Sequence, residues 1–164
     1  MTRRSLLLVA LASAGCLRTS SEVQPGQLGD LRFNAPAHWT HTDSNARSQP
    51  TSTWVPEDNP NKESVEIIRA KLGPGLSDHD LPGLESALEH AQIGLPEARV
   101  GSPTSFLTAR GRMAVMVPVD FVPRGASQRY RRLHAMVVDG KSLIHVLYTA
   151  AFQTVLQSIY SEGA

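Results

Sequence analysis

The spacing of apolar residues changes period along the chain, and each change marks an element. SVEIIRAKL, residues 64 to 72, is β-branched and lies between Lys62 and Gly73-Pro74-Gly75, which predicts a strand. From Asp78 to Ile93 the spacing becomes three and four, placing Leu81, Leu84, Leu88 and Ala91 on one helical face. Asp78 or Asp80 can cap that helix, Pro82 suits its first turn, and Gly94 can end it. Strand alternation then returns. RMAVMVPVDFV, residues 112 to 122, sets Met113, Val115, Val117, Val119 and Phe121 on one face. Pro118 has no amide hydrogen, so this strand needs an edge or a bulge there.

Residues 129 to 150, RYRRLHAMVVDGKSLIHVLYTA, carry the strongest local signal. Two β-rich runs flank Asp139-Gly140, the preferred pair for a type I′ turn. LRFNAPAHW, residues 31 to 39, reads as a strand running into a Pro turn, shorter strands are expected at 39–42 and 53–55, and a weak pair lies between Ala98 and Ala109. The loops DSNARSQP and PEDNPNKE separate them and are rich in turn formers. A closing helix is expected over 151–161, with Phe152, Val155, Leu156 and Ile159 on one face. The fold class that follows is α+β, a mainly antiparallel sheet packed with two main helices in an α/β/α sandwich.

The order of elements resembles the PsbP-like domains, including bacterial DcrB-type lipoproteins. Phe33, Pro36 and Trp39 look like that family's opening, an aromatic strand followed by Pro and Trp. Leu147-Tyr148-Thr149-Ala150 and then Ser158 look like its closing strand and helix. The resemblance covers residues 31 to 161 and implies a binding or assembly role with no shared catalytic residues. The link from last strand to last helix is shorter here than the pattern has it.

The first sixteen residues follow a different logic. Arg3 and Arg4 form a positive start, Ser5 to Ala12 a short apolar core, and Ser13-Ala14-Gly15 a run of small residues before Cys16. This is the layout of a secretory signal, too short in its apolar part to span a bilayer. Small residues directly before a cysteine resemble the lipobox of bacterial lipoproteins, although Ser13 stands where leucine is usual. The resemblance implies acylation of Cys16 and cleavage before it. Leu17, rather than Asp, then implies the outer membrane facing the periplasm.

The expected organisation is therefore a signal peptide over 1–15, a lipid-anchored flexible tether over 16–29, and one α+β domain over 30–164. The tether reading rests on LRTSSEVQPGQLG, which is polar and has little to bury. Cys16 is the only cysteine, so no disulfide framework exists. The formal charge of +1 comes from 16 basic and 15 acidic residues; losing Arg3 and Arg4 leaves 14 − 15 = −1. Such a balance gives no electrostatic basis for nucleic acid as a partner. Aromatic residues are only 5% of the chain, which disfavours a carbohydrate platform.

Candidate chemistry centres on two histidines. If Asp139-Gly140 forms the turn, His134 falls directly opposite His145, close enough for two imidazoles to share a metal. Shifting the turn by one residue would unpair them. They share a face with Tyr130, Arg132, Met136, Leu143 and Leu147, and the opposite face, with Leu133, Ala135, Val137, Ile144, Val146 and Tyr148, is the more apolar. Arg129, Arg131 and Arg132 form the second candidate, since guanidinium forks suit carboxylates and phosphates. His38 and His41 flank Trp39 but point to opposite faces of a strand. No nucleophile elbow, phosphate loop or zinc-protease motif occurs, and nothing calls for a cofactor. The function these observations favour is a membrane-anchored, non-catalytic binding or assembly module with a protein partner in the envelope. The alternative is a small metal-binding protein or metal-dependent enzyme using His134 and His145.

Overall fold

A computed structural model describes residues 5–6, 23–45, 49–58, 63–77, 79–108 and 111–151. The strands are β1 (Ser5–Leu6), β2 (Val23–Leu28), β3 (Leu31–Pro36), β4 (Trp39–Ser44), β5 (Thr51–Pro56) and β6 (Glu63–Lys71). A helix, α1 (Leu81–His90), precedes β7 (Arg99–Val100), β8 (Thr104–Leu107), β9 (Met113–Phe121), β10 (Tyr130–Asp139) and β11 (Ser142–Ala151). The main sheet runs β4-β5-β6-β11-β10-β9-β7, with β8 also on β9, and all its pairs are antiparallel. A smaller sheet, β1-β3-β2, carries the parallel pair, β1 with β3.

Alternation along the central strands sends side chains into two separate cores. Leu133, Ala135, Val137, Ile144, Val146 and Tyr148 pack with Trp54, Val65 and Ile67 beneath Leu28, Leu31, Phe33 and Ala35 of the β2–β3 hairpin. On the other face Val115, Val117, Val119, Met136, Val138 and Leu143 pack against Leu84 and Leu88 of α1. Both faces of β9, β10 and β11 are thus covered, which is why these strands read as nearly continuous apolar runs.

Helix α1 begins where Asp80 accepts a hydrogen bond from the Gly83 amide at 3.0 Å. A Cβ at Gly83 would sit 2.1 Å from that carboxylate, so the glycine admits the cap. The helix ends at His90, three residues before the expected Ile93, and Gly94 closes the following turn with φ +98°. Ala91, expected on the buried stripe, is exposed because it already lies past the last turn.

Pro118 behaves as an edge residue would. Its carbonyl accepts from the Gly101 amide at 2.8 Å, so its nitrogen also faces the outer side of β9, between the short strands β7 and β8.

Two expectations need revising. Residues 23–28, inside the segment read as a tether, form β2 and pair with β3, so that part of the segment belongs to the fold. Pro25 and Gly26 mask that strand in the sequence. Gly26 is buried against Phe33 because no side chain fits there. The two-helix sandwich is matched by one helix on one face and a strand hairpin on the other among the described residues; 152–161 lies outside them.

A Cβ added at Gly26 would lie 2.2 Å from the Phe33 ring, which is itself 3% exposed and cannot retreat. Gly26→Ala should therefore destabilise the fold by about 1–3 kcal/mol. Urea unfolding measures this, and pairing the change with Phe33→Leu should recover part of the loss.

Candidate functional site

The β10–β11 turn sets the geometry of the histidine pair. Asp139 pairs with Ser142, so the two turn residues are Gly140 and Lys141 rather than Asp139 and Gly140. Of these two only Gly140 has positive φ, at +62°, the pattern of a type II′ turn with glycine first. The turn is thereby displaced by one residue. His134 now faces Leu147, and His145 faces Met136.

The displacement does not separate the histidines. It moves each partner by two positions, which preserves the face, so the two rings become diagonal neighbours. His134 Nε2 lies 3.0 Å from His145 Nδ1, with ring centroids 5.2 Å apart. The direct opposition expected from the sequence is wrong, and so is the expectation that a shifted turn unpairs them. His134 is also deeply buried, at 4% exposure, rather than lying on an open face.

Its cover comes from Gln92, just beyond α1. The Gln92 amide donates to Leu88 O at 2.8 Å, satisfying a carbonyl in the last turn of the helix. The same Nε2 lies 2.7 Å from His134 Nδ1, and because that nitrogen only donates, Nδ1 must accept. A neutral His134 then carries its hydrogen on Nε2 and donates it to His145 Nδ1. One chain of hydrogen bonds thus runs from the helix end to His145. Gln92 Oε1 is buried and has no hydrogen-bond partner.

Burial, with the nearby His145 and Arg132 charges, pushes the His134 imidazole down to about 3. Burial also lowers His145. Both rings are therefore neutral bases at pH 7, but the lone pairs on His134 Nδ1 and His145 Nδ1 already accept hydrogen bonds. No group of three or more His, Cys, Asp or Glu side chains that could hold a metal occurs among the described residues.

The arginines are largely engaged within the chain. Arg131 grips Asp120 with two bonds, of 2.7 and 2.9 Å. Arg129 reaches Glu97 at 3.5 Å, and Arg112 reaches Asp139 at 3.3 Å. Arg132 donates to Thr149 Oγ1 at 3.2 Å and lies 4.9 Å from the Phe121 ring centroid. Burial lowers its pKa, opposed by the Glu66 carboxylate. Arg131 and Arg132 sit on opposite faces, so the candidate anion site does not assemble as one cluster. His38 occupies the β3–β4 turn with φ +63°, whereas His41 stacks on Trp54 at 4.4 Å.

Gln92 was absent from the sequence-based candidates. It lies 42 residues from His134, and no local pattern links the two.

The arrangement of strands can now be compared with solved structures. Cyanobacterial PsbP (CyanoP) from Synechocystis aligns over 87% of this chain and 95% of its own, with TM-score 0.57 and 14% identity. The fold is PsbP-like. A candidate regulator of unknown function from Pseudomonas aeruginosa, PA94, aligns over 83% of this chain and 88% of its own, with TM-score 0.51 and 14% identity. No family model and no curated protein sequence matches the chain. At 14% identity the likeness concerns the fold alone, and neither neighbour is named as an enzyme.

Because His134 resists protonation when folded but takes a proton near 6.5 when unfolded, acid favours the unfolded chain. Its stabilising neutrality is complete above pH 6.5 and lost progressively as pH falls towards 3. Urea unfolding should show about 2 kcal/mol less stability at pH 5 than at pH 7 from this residue. His134→Gln should flatten that dependence, and an unchanged slope would assign it elsewhere.

Proposed function

We propose that this chain is a lipid-anchored envelope protein acting as a non-catalytic binding or assembly module, held to the membrane through Cys16. The single observation that carries this reading is MTRRSLLLVALASAGC, in which the only cysteine follows a run of small residues behind a charged start and apolar core. Cleavage before Cys16 removes β1 and leaves the β2–β3 hairpin in place. The proposed address is the outer membrane, on its periplasmic side, with an envelope protein as partner. A second helix over 152–161, after Ala151 closes β11, belongs to the same proposal and would complete the sandwich.

The start of β2 gives the anchor a physical consequence. Six residues, 17 to 22, separate Cys16 from Val23, and an extended chain advances about 3.5 Å per residue, roughly 25 Å in all. The folded part is then confined close to the lipid surface, and a single acyl chain would hold it only reversibly. Lipoproteins carry more than one chain, which makes the anchor stable.

The histidine pair hydrogen-bonds within the fold, and Arg129, Arg131 and Arg132 meet side chains of the same domain. The metal-binding alternative keeps one supporting observation, two neutral imidazoles with nitrogens 3.0 Å apart.

Replacing Cys16 with Ser should abolish acyl labelling and release or stall the protein; unchanged membrane association would refute the anchor. Metal analysis of the purified full chain should find no stoichiometric zinc or copper. Stoichiometric metal that disappears in the His134→Ala, His145→Ala double variant would replace the scaffold reading with the metal one.

A further inference from the structure

A groove of about 430 Å³ opens between the small sheet and the β4–β5 end of the main sheet. Pro25, Gly26 and Gln27 line one side, and His41, Asp43 and Trp54 line the other. Each wall includes the outermost strand of its sheet among the described residues, β2 on one side and β4, with Trp54 of the adjacent β5, on the other. Gln24 ties the two together at one end, its amide donating to Pro36 O and Trp39 O at 2.8 Å each.

Strand geometry dictates what the walls present. Leu28 and Leu31 flank the two-residue turn Gly29-Asp30 and so form a bonded pair. Bonding alternates along the ladder, so Gly26 and Gln24 bond to β3 while Pro25 and Gln27 turn their main-chain groups outward. Pro25 can occupy such a position because it needs no donor there. On β4 the Glu57 amide donates to His38 O, which makes His38, Thr40 and Thr42 the bonded positions. His41 and Asp43 therefore turn their main-chain groups outward as well.

The side chains add a fixed charge. Trp54 Nε1 donates to Ser52 Oγ at 3.0 Å, and Ser52 donates to Asp43 Oδ1 at 2.7 Å. Ser52 is fully buried and Trp54 is 2% exposed, whereas Asp43 is exposed. Two buried groups thus orient a carboxylate at the groove wall, beside the exposed ring of His41 stacked on Trp54. Arg69, the cation near the Gly29 end, is engaged with Asp30 and Ser142.

We propose that this groove binds an extended segment of a partner protein that carries a lysine or arginine opposite Asp43. The outward amide and carbonyl of Gln27, with the carbonyl of Pro25, match an extended main chain, and the oriented carboxylate matches a cation. Pro25 limits the pairing to a short stretch, so the basic side chain supplies much of the selectivity. The inference rests on the binding-module reading and gives the partner's chemistry. It is separable from the anchor, since losing acylation at Cys16 would leave peptide binding unchanged.

The test titrates the detergent-solubilised full chain with an acetylated, amidated heptapeptide of alternating threonine and valine around a central lysine. Matching peptides with central norleucine or glutamate, and free n-butylamine, serve as comparisons. The lysine peptide should bind at least tenfold more tightly than the other three. Asp43→Asn keeps an oxygen for Ser52 and should weaken that binding at least tenfold. Gln27→Pro, which removes only an outward amide, should weaken it several-fold. Equal binding of the lysine and norleucine peptides, no binding of either, or full affinity in Asp43→Asn would overturn the proposal. Butylamine binding as tightly as the peptide would assign the groove to small amines instead.

Discussion

The register between β10 and β11 is the constraint on which the other contacts depend. A slip of one residue would turn Leu133, Ala135 and Val137 towards the helix and bring His134 beneath the hairpin. Both faces of this ladder are buried, so such a slip would misplace two cores at once. Gly140 at the first turn position selects the register, and Asp139 pairs with Ser142 as a result. The apolar pattern alone tolerates shifts of two, because these preserve the faces. Turn geometry decides among them.

Polar groups inside this frame are few and are linked in short chains. Gln92 joins the end of α1 to His134, and Ser52 joins Trp54 to Asp43. In each case a buried group connects the core to a more exposed one. The two chains differ in what they offer a ligand. The histidine chain uses the lone pairs of both imidazole Nδ1 atoms within the fold, leaves Gln92 Oε1 without a partner and keeps His134 neutral. The serine chain ends on an exposed carboxylate that Ser52 holds through Oδ1 alone among the described contacts. Burial of a hydroxyl without a partner would cost about 1–3 kcal/mol, so Ser52 needs Asp43 for stability as well. Structural need and ligand orientation are therefore met by the same bond.

Much of the fold was legible in the sequence, and the exceptions share a cause. The alternation of β9, β10 and β11 and the three-and-four spacing of α1 are period signals, and they survive any small change of register. Asp80 and Pro82 act where local chemistry placed them, whereas Gly94, expected to end the helix, closes the turn after it. β2 was illegible because Pro25 and Gly26 read as a linker, yet each has a tertiary reason: an outward edge for one and the Phe33 ring for the other. The histidine contact was legible as a shared face but not as an opposed pair, since that depended on which glycine-containing turn formed. Gln92 was illegible altogether, because its role exists only once the helix end lies over β10. Information carried by long-range packing was missing, while that carried by period and turn chemistry was present.

The same strand that hid from the sequence joins the proposed anchor to the proposed groove. β2 begins seven residues after Cys16 and supplies Pro25 and Gln27 to the groove wall. A long tether would let the groove explore solution far from the lipid, whereas with Cys16 acylated six intervening residues would hold the start of β2 within roughly 25 Å of the anchor. Under that proposal a partner segment reaching the wall would approach along the membrane surface or belong to a protein already there. Confinement of this kind raises the effective concentration of a membrane-bound partner, so weak contacts suffice. A groove offering a few main-chain groups and one oriented carboxylate is matched to that regime. It would be poorly matched to capturing a dilute soluble ligand. The Pro25 that shortens the ladder then limits indiscriminate strand addition at a crowded surface, where a fully open edge would be a hazard.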